Sequence, residues 1–468
     1  MVERIPKSVM LAGAALFAIA LAYAAYSRPG YFNNPTLLMG LLFLEFLIAA
    51  VWMYRRYFFA VVLVSFLFAG VNLPVGTGWA AVRWVVLGVG TLVGSLIILK
   101  DRNYRFGLFH LLALFAVLTG LISAEVSAYP DVALLKVLSM LLLLMYAATG
   151  ARVAAIGREN QFFAGLLLGC EILAGLNAVF YGIGIQAMGN PNSLGAVMGV
   201  VASPILLWGA LLGGKTWVCR RRFLLYGISM YLVFLSHARA GLAAAVIASA
   251  IMCVGLRKYK LLIEGSIIMV IVAAFVALVQ PDAISSTTNA FLYKNREEGV
   301  LASRMSPWQT ALDNFNDHPW FGMGLGTTIN GGDVTEEQSK FASSGGVTAE
   351  NGSSYLAVLV GVGVVGAIPF AIVLILIIGR IVRTLLFMRT SRSPLHPAIP
   401  LAAVMIAGIA HATFEDWMFA PGNYICVLFW SLAFVLDDIA PPSPRSVLSL
   451  QWQPKAAPAA VGGIPPTS

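Results

Sequence analysis

Residues 354–379 read SYLAVLVGVGVVGAIPFAIVLILIIG, an apolar run without one charged side chain. About twenty such residues in a helix cross the ~30 Å of hydrocarbon in a bilayer, where no water is present to satisfy a free backbone group. Working outward from this run, windows of the same kind occur at 8–26, 36–53, 57–72, 79–99, 106–124, 132–149 and 161–183. More follow at 193–213, 222–236, 239–256, 260–280, 398–411 and 422–436. The count is therefore about 14 transmembrane helices, or 12–14 once the weaker windows are weighed. Composition agrees, with 59% hydrophobic and 11% charged residues and a mean hydropathy of +0.85. Soluble globular proteins carry roughly 25% charged residues. An ordinary soluble enzyme, a disordered protein and a secreted disulfide scaffold are excluded. The fold class is an all-α polytopic membrane protein.

The net charge of +9 is a topology signal, because the basic residues sort to one side. With the amino terminus inside, alternate loops carry Arg4 and Lys7, Arg55 and Arg56, Lys100, Arg102 and Arg105, and Arg152 and Arg158. They continue with Lys215, Arg220, Arg221 and Arg222, with Arg257, Lys258 and Lys260, and with Arg380, Arg383, Arg389 and Arg392. Adding Arg445 and Lys455 places 22 of the 30 Lys and Arg on one face. The positive-inside rule then makes both termini cytoplasmic. These basic loops orient the chain; they are assigned no ligand, and no nucleic-acid partner is expected.

The first span could pass for a signal peptide with Ala22-Tyr23-Ala24 as its cleavage site. The thirteen spans after it favour an uncleaved helix. Cys170, Cys253 and Cys426 fall in spans and Cys219 in a cytoplasmic loop, so no external disulfide is expected. Residues 439–468, rich in Pro, Ala and Ser, read as a disordered cytoplasmic tail. Arg83, Lys136, Glu45 and Glu171 fall within spans, where lone charge is expensive. Each needs a partner, and the sequence alone does not pair them.

One connection departs from the pattern of short loops. Residues 281–352 lie outside, and loops of that length are usually functional. The external side holds most of the acids, among them Asp313, Asp317, Glu350, Glu415 and Asp416, against a few cations: Arg28, Arg239, Lys294, Arg296, Arg304 and Lys340. Scarce cations on an acidic face are the better candidates for chemistry, and any chemistry faces outward.

Ser236-His237-Ala238-Arg239-Ala240-Gly241 makes a tight external turn that sets a guanidinium at the membrane surface. Its planar fork suits phosphate oxygens; the alternative is an Arg snorkelling to head groups. In Ser303-Arg304-Met305-Ser306-Pro307-Trp308-Gln309, Ser306 as N-cap, Pro307 and Gln309 predict a capping box. Arg304 then stands just before a short amphipathic helix carrying Trp308, Ala311, Leu312 and Phe315, where free amides favour an anion. The other reading is a surface Arg capping its own loop.

Residues 318–327, HPWFGMGLGT, have glycines spaced for close backbone approach. No strand precedes them, so a nucleotide-binding reading is rejected. His318 is read as packed, and no grouping of His, Cys and carboxylates has metal-ligand spacing. Ala349-Glu350-Asn351-Gly352-Ser353-Ser354-Tyr355 leads into the span that carries Gly361, Gly363 and Gly366. Glu350 could act as general base toward a sugar hydroxyl if burial raises its pKa, or it is a helix-end acid favoured by the dipole. His411-Ala412-Thr413-Phe414-Glu415-Asp416-Trp417, with Pro421-Gly422-Asn423, forms the last external turn.

These motifs, joined by Gly189-Asn190-Pro191-Asn192-Ser193, resemble the O-antigen ligase and Wzy-type polysaccharide polymerase superfamily. The resemblance runs over roughly 160–435. It implies a GT-C-like fold and an N-terminal block of transmembrane helices at 1–159. A catalytic region at 160–438, with the external loop 281–352 and its short amphipathic helices, would follow. The implied activity is that of an inverting, metal-independent glycosyltransferase without cofactor, in the bacterial inner membrane with its active face periplasmic. Its donor would be an undecaprenyl-diphosphate-linked glycan and its acceptor another glycan or lipid A-core, among membrane lipids and with a chain-length regulator as a possible partner. Arg239 and Arg304 would hold the donor diphosphate and stabilise its departure, with Asn192, Trp308, Asn351, Tyr355 and Glu415 lining the substrate. The family's ligases usually show a His where this chain has Glu350. That departure tilts the expectation toward a polymerase of O-antigen or exopolysaccharide repeats, with a ligase as alternative. A transporter would instead predict paired half-chains, broken helices and midplane charges, and no such symmetry is evident.

Overall fold

The computed structural model describes residues 58–70, 79–100, 106–185, 187–188, 190–213, 217–279, 301–327 and 351–441, with Leu44, Ile48 and Tyr104. Among them there is no strand. The helices are α1 Phe58–Gly70, α2 Trp79–Lys100, α3 Leu108–Glu125, α4 Pro130–Ala155, α5 Glu159–Gly182, α6 Pro191–Leu211 and α7 Trp217–Leu235. They continue with α8 Arg239–Gly255, α9 Tyr259–Val279, α10 Ala302–Asp317, α11 Ser354–Ser391, α12 Ala398–Ala412 and α13 Tyr424–Ile439. All belong to one compact unit. Six of them, α2 to α6 and α11, are long and apolar enough to cross a membrane. This is a multi-pass helical membrane protein. Of the spans expected from sequence, 8–26 and 36–53 fall outside the described residues save Leu44 and Ile48.

Helix α13 is apolar around its whole circumference and buried from Ile425 to Leu436, so it forms the middle of the bundle. Its last turn carries Asp437 and Asp438, where Arg380 Nε reaches Asp437 at 2.7 Å and Arg152 grips Asp438 at 2.5 and 2.9 Å. Arg152 is fully buried, its guanidinium 5.4 Å from the ring of Phe106. Glu171 is answered by Arg221 and by Arg222 Nε at 2.8 Å. Four of the basic residues expected to orient the chain thus neutralise acids that would otherwise lie unpaired in low dielectric. Cys219 sits buried inside α7, because that helix begins at Trp217 rather than at 222.

Two neighbouring features position the region around Arg239 and Arg304. Helices α6 and α8 meet at backbone distance: a Cβ added at Gly241 would come 2.6 Å from the carbonyl oxygen of Gly195. Small residues permit this approach where lipid gives no hydrophobic drive between helices. The contact seats the turn at 236–238 and the start of α8 against α6.

The second feature is the run with which the sequence was opened. Helix α11 is not continuous: Gly363 takes φ 63°, ψ −173°, and the helix divides there. A broken helix frees backbone groups that hydrocarbon cannot satisfy. Residues 319–324 supply them. The amides of Met323 and Gly324 donate to the carbonyls of Val360 (2.9 Å) and Gly361 (3.0 Å), and the amides of Val364 and Val365 donate to the carbonyls of Pro319 (2.9 Å) and Trp320 (3.1 Å). Ser123 of α3 adds its hydroxyl to Gly361. A Cβ at Gly363 would lie 2.5 Å from the amide nitrogen of Phe321, so only glycine admits the segment. The spaced glycines at 322–326 and 361–366 are two halves of one backbone-to-backbone joint. A break of this kind is also what a transporter would carry, but here the docked segment closes it.

Candidate functional site

Helix α10 delivers the first arginine. Sequence spacing set its start at Ser306; the helix in fact begins at Ala302, with Pro307 inside it. The carbonyl of Leu301 accepts the amides of Arg304 (2.7 Å) and Met305 (3.2 Å), which starts the helix a turn early. The expected capping box does not form, since Gln309 Nε2 reaches forward to Asp313 Oδ1 at 3.0 Å. Arg304 therefore lies in the first helical turn. Its guanidinium pairs with Glu415 of the turn between α12 and α13, and both side chains are only 14% exposed.

One helical turn on, Trp308 reinforces that docking. Its indole Nε1 donates to the Gly352 carbonyl at 3.1 Å, and its ring stacks on Phe414 with centroids 6.3 Å apart. Asn351 Nδ2 donates to Asp416 Oδ2 at 3.1 Å. Buried Ser354, the first residue of α11, ties the turn down: its hydroxyl donates to the Glu415 carbonyl at 2.6 Å and accepts the amides of Trp417 and Met418, each at 3.1 Å. Trp417 Nε1 donates to His411 Nδ1 at 2.7 Å, and the Tyr355 hydroxyl donates to the carbonyl of Ile409 at 2.8 Å. Two segments remote in sequence, α10 and residues 351–354, thus hold Glu415 and Asp416 in place.

Arg239 approaches from α8. In the turn before it, His237 has φ 52° and the Ser236 hydroxyl donates to Val233 at 2.8 Å. Half-buried Arg239 lies within Coulombic range of Arg304. The two guanidinium groups thus lie close enough to repel, and Glu415 pairs with Arg304. The planar fork of each Arg matches phosphate oxygens.

The structure brings together Arg239, Arg304, Glu415, Trp308 and Asn351 of the residues expected from sequence. Tyr355 stands beside them with its hydroxyl committed to backbone. Asn192 lies in the first turn of α6, capped by Asn190 Oδ1 on the Ser193 amide at 3.1 Å, and its described contacts do not join it to the arginines. Glu350 lies outside the described residues. Sequence reasoning did not single out Ser354 or Asp416 as site residues. Their signal was position, a Ser opening a long helix and an acid adjoining Glu415.

This fold and this cluster define a class, a multi-pass membrane protein with two arginines brought together on separate helices. Residues 223–371, from α7 into α11, match the family Wzy_C, described as O-Antigen ligase. The matched span holds Arg239, Arg304 and both glycine segments of the joint. The chain's resemblance to the O-antigen ligase and Wzy superfamily accordingly rests on a direct family match. No curated protein matches the chain.

Proposed function

We propose that this protein is a periplasm-facing glycosyltransferase that polymerises undecaprenyl-diphosphate-linked oligosaccharide repeats of O-antigen or exopolysaccharide. The observation that carries the reading is the convergence of Arg239 and Arg304 beside Glu415. Transfer of a glycan from a lipid diphosphate breaks the bond between the anomeric carbon and the diphosphate oxygen, leaving negative charge on the departing group. Positioned cations stabilise that charge as it develops. Arg304, oriented by Glu415, and Arg239 bind the diphosphate from two helices. The acceptor hydroxyl attacks from the opposite face, with inversion and without a metal, and Glu350 takes its proton. Trp308 and Asn351 fix the helix and turn that frame the sugar.

The description of the matched family favours a second reading with the same donor chemistry, an O-antigen ligase that delivers the glycan to lipid A-core. The acceptor separates the two. Purified protein is reconstituted with undecaprenyl-diphosphate oligosaccharide, with and without lipid A-core. The polymerase reading expects longer lipid-linked chains without core. Product on core alone means ligase, and no product of either kind overturns the glycosyltransferase reading in favour of transport.

A further inference from the structure

The turn that holds Glu415 has a second pair of cations on it. Arg83, near the start of α2, donates from Nη1 to the Gly422 carbonyl at 2.9 Å, its guanidinium 5.4 Å from the Trp84 ring and 5.7 Å from Phe66. Its Nε is buried without a hydrogen-bond partner. Lys136, in the second turn of α4, runs its stem past Gly326, where an added Cβ would come within 3.2 Å of its Cγ. Lys136 is in Coulombic range of Arg83 and of Asp416, which already accepts from Asn351. Among the described residues neither cation makes an ion pair.

Two like charges on adjacent membrane helices repel one another and are expensive to leave in place. Elsewhere in this bundle buried cations are closed by carboxylates, as Arg152 is by Asp438 and Arg222 by Glu171. Arg83 and Lys136, by contrast, make no such pair among the described residues, and they lie beside the proposed site. Glu415 serves Arg304, and Asp416, the next residue, faces Lys136. We infer that Arg83 and Lys136 form a second anion site, which takes a phosphate or diphosphate borne by a membrane lipid.

The inference deepens the proposed function and rests on it for the assignment of the first site. A reaction between two lipid-linked glycans brings two diphosphates to one membrane face, and the two cation pairs would hold one each. An anionic phospholipid head group offers the same chemistry and is the other source.

The test is native mass spectrometry of the full-length protein with undecaprenyl diphosphate. Wild type is expected to take up two lipids. Lys136→Met and Arg83→Gln are each expected to lose one, Arg304→Ala to lose the other, and Lys136→Arg to keep both. Two lipids on Lys136→Met and Arg83→Gln, or one on wild type, overturns the second site. Loss in those variants with Arg304→Ala unchanged upholds it and instead contradicts the assignment of Arg304 to the donor. If excess phosphatidylglycerol displaces only the lipid lost in Lys136→Met, the site stands and its ligand is a phospholipid head group. Should the Lys136→Met chain fail to insert, inorganic diphosphate titrated into wild type decides, since displacement of both lipids supports the site and displacement of one overturns it.

Discussion

Arg304 and Glu415 form a part-buried ion pair across 111 residues of sequence, joining helix α10 to the turn between α12 and α13. The pair is a positioning contact as much as a charge contact. Glu415 is itself held through its backbone by Ser354, so the guanidinium is aimed from the rigid start of α11.

Glu415→Gln should weaken the aim without removing the cation. The expected outcome is a donor KM raised about tenfold, or ~1.4 kcal/mol, with kcat little changed. The swapped double variant Arg304→Glu with Glu415→Arg should insert but not support transfer, because the guanidinium then sits on the wrong element. Steady-state kinetics in proteoliposomes reads both.

Gly363→Ala should damage the joint. Its positive φ costs about 1–3 kcal/mol for a residue with a Cβ, and the Cβ would press on Phe321. Thermal unfolding in detergent should fall, and transfer with it, since residues 319–324 follow directly on α10. Gly379→Ala, in the same helix with open space around it, is the matched control and should be neutral.

Trp308→Phe keeps the ring against Phe414 and deletes the bond to Gly352. The lost hydrogen bond is expected to cost about 1 kcal/mol, seen as a modestly lower unfolding temperature. Trp308→Ala loses the stacking as well and should be clearly worse. Equal stability in the two variants would contradict the docking described here.

His396, in the loop between α11 and α12, is buried, and that burial holds its imidazole down to about 4. Its Nδ1 accepts the Ala398 amide at 3.2 Å, which requires that nitrogen to be unprotonated. The unfolded chain, with an ordinary His near 6.5, takes up its proton first. Stability is therefore full above pH 6.5 and declines as pH falls toward 4. Unfolding temperatures at pH 7.5 and 5 should differ in wild type and differ less in His396→Asn, whose Oδ1 can still accept.

The sequence made the membrane helices legible because hydrocarbon tolerates so little. A run such as 354–379 has few alternatives, and every expected span from 57–72 onward overlaps a helix. Arg304 was legible as a scarce cation on the face expected to be external, Trp308 as a position of the amphipathic helix beside it, and Glu415 as an acid of the last turn on that face. The break at Gly363 was not, since it depends on a segment docking from forty residues away. Nor was the start of α10, where the Leu301 carbonyl outweighed the Ser-Pro-Trp-Gln signature. Glu171 with Arg222, and Trp308 with Phe414, are tertiary pairings that periodicity does not encode.

The central claim is that Arg239 and Arg304 act on the donor diphosphate. Transfer from undecaprenyl-diphosphate oligosaccharide by reconstituted Arg239→Ala and Arg304→Ala tests it most directly, with insertion checked in parallel. Loss of transition-state charge stabilisation predicts rates lower by roughly a hundredfold or more in each. Normal transfer by both inserted variants would contradict the account.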